Sequence, residues 1–189
     1  MSTVGVLALQ GDYRAHGRMA EALGHEVREV RQASELLGCH ALLLPGGESS
    51  TMVKLLRGEE LTEPVREFCR SGRPVLGTCA GAILLASSVT GPAQESLGIL
   101  DIDIERNGYG RQRDSSIEQL EGGETWGHTE AVFIRAPVIH RVGDGVEVLL
   151  RRGDDPVLVR NGPVWAATFH PEMTADTELL ERVLESGAT

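Results

Sequence analysis

Cysteine is scarce in this 189-residue chain: Cys39, Cys69 and Cys79 are odd in number and widely spaced, with no CxxC pair. Such a set builds neither a disulfide framework nor a thiolate zinc site, and it fits a reducing compartment. No apolar run approaches the ~18 residues of a membrane span. The opening Met1-Ser2-Thr3-Val4-Gly5-Val6 enters a strand directly, without the charged and apolar regions of a leader. Basic charge is also short, 18 Lys and Arg against 28 Asp and Glu for a net charge of −10, which argues against a nucleic-acid ligand. There is no Gly-Lys-Ser/Thr phosphate loop, no dinucleotide fingerprint, no internal repeat and no low-complexity tract. The expectation is a soluble, cytoplasmic chain forming a single domain over residues 1–189, with no cofactor, no metal and no membrane partner.

What is present is a chain of two characters. In the first half, apolar strands at Val4–Leu9, Val27–Val30, Ala41–Leu44 and Val75–Thr78 alternate with helical segments. Those segments are Tyr13–Leu23, a stretch to about Leu56 capped by Ser49 or Ser50, and Glu63–Arg70. Such alternation predicts βαβ units and a parallel sheet covered on both faces. The second half reads as strands at Ile99–Glu105, Ala131–Arg135, Val146–Leu150, Val157–Arg160 and Val164–Phe169. The last two flank Asn161-Gly162-Pro163 as a hairpin, and a final helix runs from about Ala175 to Glu185. Gly108–Trp126 is the least regular stretch and reads as a surface loop.

Three features carry chemistry. Val75–Thr78 runs into Gly77-Thr78-Cys79-Ala80-Gly81 and then an alanine- and leucine-rich helix. A nucleophile in a small-residue G-x-C-x-G frame between strand and helix has the form of an elbow. The following helix sets its positive end beside the sulfur, which favours the thiolate. Taken alone, Cys79 reads more readily as a small core residue. The second feature is His170-Pro171-Glu172 at the end of a strand. Proline keeps the preceding residue out of the α region, so His170 stays extended and Glu172, two residues on, shares its face. A carboxylate there fixes the imidazole tautomer and frees its other nitrogen for proton transfer. The bland readings are a solvated turn or a pair of metal ligands, the latter without a third ligand at suitable spacing.

The third feature, Pro45-Gly46-Gly47-Glu48-Ser49, also follows a strand, and its glycines leave backbone N–H groups open to an oxyanion. Read plainly it is an ordinary turn. Open α/β sheets bind ligands beyond the carboxyl ends of their strands, where all three features converge.

In this order, Pro-Gly-Gly-Glu-Ser, Gly-Thr-Cys-Ala-Gly and His-Pro-Glu resemble the class I, triad-type glutamine amidotransferases. Leu9-Gln10-Gly11, Glu105-Arg106-Asn107, Gly110-Arg111-Gln112, Phe133-Ile134-Arg135-Ala136-Pro137 and Phe169-His170-Pro171-Glu172 narrow the resemblance to the glutaminase subunits of pyridoxal 5′-phosphate synthases, over essentially the whole chain. The resemblance implies an α/β three-layer sandwich with a mostly parallel central sheet and an antiparallel β addition in the second half. It implies glutamine hydrolysis with Cys79 as nucleophile, His170 as proton relay and Glu172 as its holder. The N–H groups of Gly47 and Ala80 would form the oxyanion hole, and Gly47, Glu48, Ser49, Arg106, Ile134 and Arg135 would line the L-glutamine pocket. Charge logic agrees, because free glutamine offers an ammonium to Glu48 and a carboxylate to an arginine. Without the family, Arg106 and Arg135 read as solvated strand-end charges. Ser50, Tyr109 and Met173 stand where threonine, phenylalanine and leucine are common.

Free ammonia is protonated and lost in water, so a synthase partner is expected. By resemblance it is a (β/α)8-barrel subunit, assembled twelve plus twelve with the glutaminase, which is largely inactive until docked through Gln10 and the first helix. Two rivals stay open: an amidotransferase of another synthase or a related Cys-His hydrolase, and a non-catalytic subunit that senses glutamine. Cys39 and Cys69 are expected to be structural.

Overall fold

The computed structural model describes residues 2–109, 115–122 and 126–187. Five strands run parallel at its centre: β1 (Thr3–Leu7), β2 (Glu26–Val30), β3 (Ala41–Leu44), β4 (Val75–Thr78) and β12 (Val164–Ala167). β10 (Glu147–Arg152) and β11 (Asp155–Asn161) extend the β12 edge antiparallel, giving the order β10-β11-β12-β4-β3-β1-β2. The β11–β12 hairpin turns at Gly162-Pro163, as the sequence predicts, with Asn161 opposite Val164.

Alternation along the strands sends side chains into two cores. Leu42, Leu44, Val75, Val164 and Ala166 join one; Ala41, Leu43, Leu76, Trp165 and Ala167 join the other. The first core is closed by α2 (Ser49–Gly58), α3 (Thr62–Arg70) and α4 (Ala80–Leu85), the second by α1 (Tyr13–Ala22) and α5 (Glu178–Glu185). This is the three-layer α/β sandwich with an antiparallel addition. Near-continuous apolar strands form because both faces are covered.

Three strands escape the sequence reading. β5 (Ala86–Thr90) and β9 (Val138–Val142) flank β6 (Leu100–Glu105) in a small sheet, and β7 (Ser116–Glu121) pairs with β8 (His128–Phe133). The surface-loop expectation for 108–126 is therefore wrong within the described residues. Leu120 and Trp126 are buried in the second core, and Trp126 stacks on Trp165 at 6.0 Å. Residues 110–114 and 123–125, including Gly110-Arg111-Gln112, lie outside the described residues. The cap of α2 is also corrected. The N-cap is Glu48, whose carboxylate accepts from the N–H groups of Ser50 and Thr51, so neither serine serves.

Candidate active site

Cys79 sits between the last residue of β4 and the first of α4, with φ 47° and ψ −101°. A non-glycine residue there is strained by about 1–3 kcal/mol. The surrounding bonds hold it: Cys79 N–H donates to Ala167 O at 2.8 Å, and its carbonyl accepts from Ile83 N–H at 3.2 Å. The frame must be glycine because helix and sheet approach so closely. A methyl on Gly77 would lie 2.6 Å from the Gly81 carbonyl oxygen, and one on Gly81 would strike the Leu44 carbonyl. The sulfur-bearing residue is 8% exposed, open at the sheet's carboxyl edge.

His170 packs across from it. Its N–H donates to Val132 O at 2.9 Å, tying the end of the β12 segment to β8. Nδ1 of His170 lies 2.7 Å from Oε1 of Glu172, whose side chain is fully buried. The contact forms by a different route from the one the sequence implies. The chain is not extended through this motif; a 3-10 turn over Pro171–Met173 folds Glu172 back onto the ring. Burial opposes charge on the His170 imidazole, but hydrogen bonds to Cys79 and Glu172 outweigh it and raise its pKa well above the ordinary 6.5. Burial likewise opposes the Glu172 carboxylate, yet the His170 hydrogen bond holds its pKa below the ordinary value. The pair therefore favours imidazolium against carboxylate, with a proton ready beside the sulfur.

The glycine turn completes this wall. A methyl on Gly46 would lie 2.6 Å from Cε1 and 3.1 Å from Nδ1 of His170, and 3.5 Å from Cβ of Cys79. All three sequence features thus meet at one point. Gly46 O accepts from Asp12 N–H at 3.3 Å, so across a trans peptide the Gly47 N–H faces away from that loop. Gln10 packs on Gly47 and accepts from Glu48 N–H at 2.9 Å.

Opposite lies a second wall, and between them is a cleft of about 400 Å³. Gly46, Gly47, Cys79 and His170 line one side; Glu48, Ser49, Arg106, Asn107, Ile134 and Arg135 line the rest. Arg106 and Asn107 follow β6, while Ile134 and Arg135 follow β8. Arg106 pairs with Glu48 at 2.8 Å. Burial opposes ionisation of Glu48, but hydrogen bonds from Ser50 and Thr51 prevail and lower its pKa to about 2. Asn107 and Arg135 adopt left-handed backbone, φ 54° and 47°, so three of the strained non-glycine residues line this cleft. Such strain collects where surrounding structure over-determines a functional geometry.

Every predicted site residue is described. Cys79, His170, Glu172 and Gly47 come together, Ala80 follows Cys79 as the first residue of α4, and the six pocket residues line the cleft. Glu48 differs from expectation in one respect: its oxygens are already committed to the α2 cap and to Arg106, so it offers the cleft its charge more than a free lone pair. Two participants escape the sequence reading. Asn107 enters it only as part of a motif, and His16, wholly buried beside Glu172, sits 156 positions before its partner. Its only sequence signal is a histidine on the buried stripe of an amphipathic helix. Among the described residues no three His, Cys, Asp or Glu side chains gather to hold a metal ion. No helix there is long and apolar enough to cross a membrane.

Residues 6–185 match the SNO glutamine amidotransferase family. Relatives named pyridoxal 5′-phosphate synthase subunit PdxT include one from Solibacter usitatus, 52% identical over 185 residues, covering 95% of this chain and 96% of the relative. Another, from Thermus thermophilus, is 53% identical over 184 residues and covers 96% of each. Among solved structures, one described as a glutamine amidotransferase superposes with a TM-score of 0.90 at 50% identity, covering 96% of this chain and 97% of that one. The structure of PurLQS from Thermotoga maritima shares the fold, with a TM-score of 0.69 at 17% identity over 98% of this chain and 99% of that one. With the match spanning nearly its whole length, this chain belongs to the SNO glutamine amidotransferase family.

Proposed function

We propose that this chain is the glutaminase subunit of a pyridoxal 5′-phosphate synthase, hydrolysing L-glutamine to L-glutamate and ammonia within one domain spanning residues 1–189. The observation that carries the reading is the convergence of Cys79, His170 and Gly46, where a methyl on the glycine would meet both side chains, at a cleft bearing paired charges. Relatives that share about half of its residues are named as subunits of that synthase.

The thiolate of Cys79 attacks the side-chain amide carbon, and the carbonyl π electrons move to oxygen. N–H groups of Gly47 and Ala80 receive that oxyanion. As it collapses, the C–N bond breaks and His170 gives its proton to the departing nitrogen, releasing ammonia and leaving a γ-glutamyl thioester. Water then attacks the thioester while His170 takes its proton; the C–S bond breaks and glutamate leaves. Glu172 keeps the imidazole oriented throughout. Arg135, exposed on the cleft rim, takes the glutamine α-carboxylate, and the negative charge of Glu48 faces the α-ammonium.

Ammonia must reach its acceptor without meeting bulk water, so the chain acts docked to a synthase subunit in the cytoplasm. By family resemblance that partner is a (β/α)8 barrel, with twelve copies of each subunit. The test is glutamate production by the chain with and without the purified synthase subunit, beside Cys79→Ala. Stimulation that depends on the partner and vanishes in Cys79→Ala supports the reading. Glutamate release unchanged in Cys79→Ala would refute it and leave a sensing role.

A further inference from the structure

One fully buried titratable group takes no part in the proposed chemistry. His16, on α1, is completely buried, with Nδ1 3.2 Å from Asp12 O and Nε2 3.0 Å from Oγ1 of Thr78. Nε2 also lies 3.5 Å from Oε2 of Glu172. That oxygen is buried and makes no hydrogen bond to the described residues, whereas Oε1 is engaged by His170. Leaving a buried carboxylate oxygen unserved costs more than leaving a neutral group so. A shift of about half an ångström brings the imidazole into hydrogen-bond range.

The groups facing His16 are Glu172, His170 and Asp12. Burial lowers its pKa, which the Glu172 charge only partly offsets, so the ring carries one proton. Two acceptors compete for it. Asp12 O already accepts the backbone N–H groups of Ala15 and His16, at 3.1 and 3.3 Å. Among the described residues the Glu172 oxygen has no donor, and it bears formal charge, so it has the stronger claim.

We propose that His16 is a positioning residue: its Nε2–H is shared between Thr78 Oγ1 and Glu172 Oε2, clamping the carboxylate through the oxygen that His170 does not use. The array Thr78–His16–Glu172–His170–Cys79 then links α1 and β4 to the nucleophile. Thr78 immediately precedes Cys79, so both ends of the array return to the elbow. The inference rests on the glutaminase reading, but its tests separate from it.

Nitrogen-15 NMR of histidine-labelled wild-type protein reads the tautomer directly. A proton on Nε2 of His16 is expected; a proton on Nδ1 with bare Nε2 overturns the clamp, whatever the enzyme's activity. Two variants, assayed as the complex with the synthase subunit, read its consequence. His16→Asn keeps a donor near the Nδ1 position and loses Nε2; His16→Gln keeps a donor near Nε2. For Asn we expect kcat to fall about tenfold, the scale on which outer partners of a functional imidazole act, with KM within about twofold. The alkaline limb of kcat/KM should move to lower pH, because a looser Glu172 raises His170 less. His16→Gln should recover most of the turnover and the limb. Equal losses in both variants, or unchanged kcat in Asn, overturn the proposal. Wild-type complex releasing no glutamate would instead refute the glutaminase reading, and the NMR result would still decide the clamp. The same spectrum decides if His16→Asn fails to fold.

Discussion

The two walls of the cleft are made differently. The wall from the parallel sheet is built of backbone and small residues: Gly46, Gly47 and Cys79 follow β3 and β4, and His170 is pinned between them and β8. Gly46, Cys79 and His170 are buried, Cys79 and His170 are tied by backbone hydrogen bonds to Ala167 and Val132, and Gly46 leaves no room for an added methyl group; Gly47 lies exposed at the rim. The facing wall, from loops after β6 and β8, offers the charged side chains of Arg106 and Arg135, with left-handed backbone at Asn107 and Arg135, and Arg135 is exposed. A rigid wall suits chemistry, where a misplacement of about 1 Å costs roughly 10²-fold. The charged wall suits recognition, which charge-assisted bonds supply. Substitutions should therefore split between turnover on one wall and substrate requirement on the other.

The largest expected effect that tests this split is Glu172→Gln. It keeps the side chain's size but cannot stabilise imidazolium, so kcat should fall on the order of 10³-fold with little change in KM. Because the Glu172 charge raises His170, the alkaline limb of kcat/KM should also move to lower pH. A changed KM with intact kcat would break the division. Gly46→Ala comes next: its methyl would collide with the His170 ring, and a displaced ring should cost about 10²-fold in kcat. Stopped-flow thioester formation would place that loss in the first chemical step.

On the other wall, Arg135→Ala should raise KM for glutamine roughly 10- to 100-fold, the value of one charged hydrogen bond, and leave kcat nearly unchanged. Titration of the glutamine requirement checks this; an unchanged KM returns Arg135 to a surface charge. The smallest effect concerns Glu48, whose cap joins that wall to α2. Its pKa is held at about 2 in place of 4.5, so its contribution is complete above about 4.5 and is lost as pH falls toward 2. Glu48→Gln should cost about 1 kcal/mol or less at pH 7, reduced by the side chain's exposure, and the difference should vanish near pH 2. Urea melts of both proteins at the two pH values measure it.

The same contrast governs how much is legible in the sequence. The parallel half is announced by strands buried on both faces, and β3 and β4 lie where their apolar runs end at Pro45 and Thr78. The chemical wall is readable because its motifs are local: G-x-C-x-G, Pro-Gly-Gly and His-Pro-Glu each fall within one turn. The second half is harder. β7 buries only Leu120 fully, so it carries too little alternation to be seen, and β5 follows α4 without any turn residue to separate them. The route by which Glu172 meets His170 differs from the extended one because proline starts a 3-10 turn as readily as it prolongs a strand. His16 is invisible in the sequence because its partners, Thr78 and Glu172, are brought to it only by the completed sheet and helix layers.

Geometry makes one of three buried cysteines a nucleophile. Burial raises the Cys69 thiol to about 12 and pushes Cys39 upward too, so both are inert by environment. Cys79 differs in its strained elbow and in the imidazole facing it. A glutamine-like electrophile, followed by peptide mass spectrometry of the complex with the synthase subunit, compares all three in one molecule. Modification of Cys79 alone, suppressed by excess glutamine, is expected. Equal labelling of Cys39, Cys69 and Cys79, or labelling that glutamine does not protect, would contradict it.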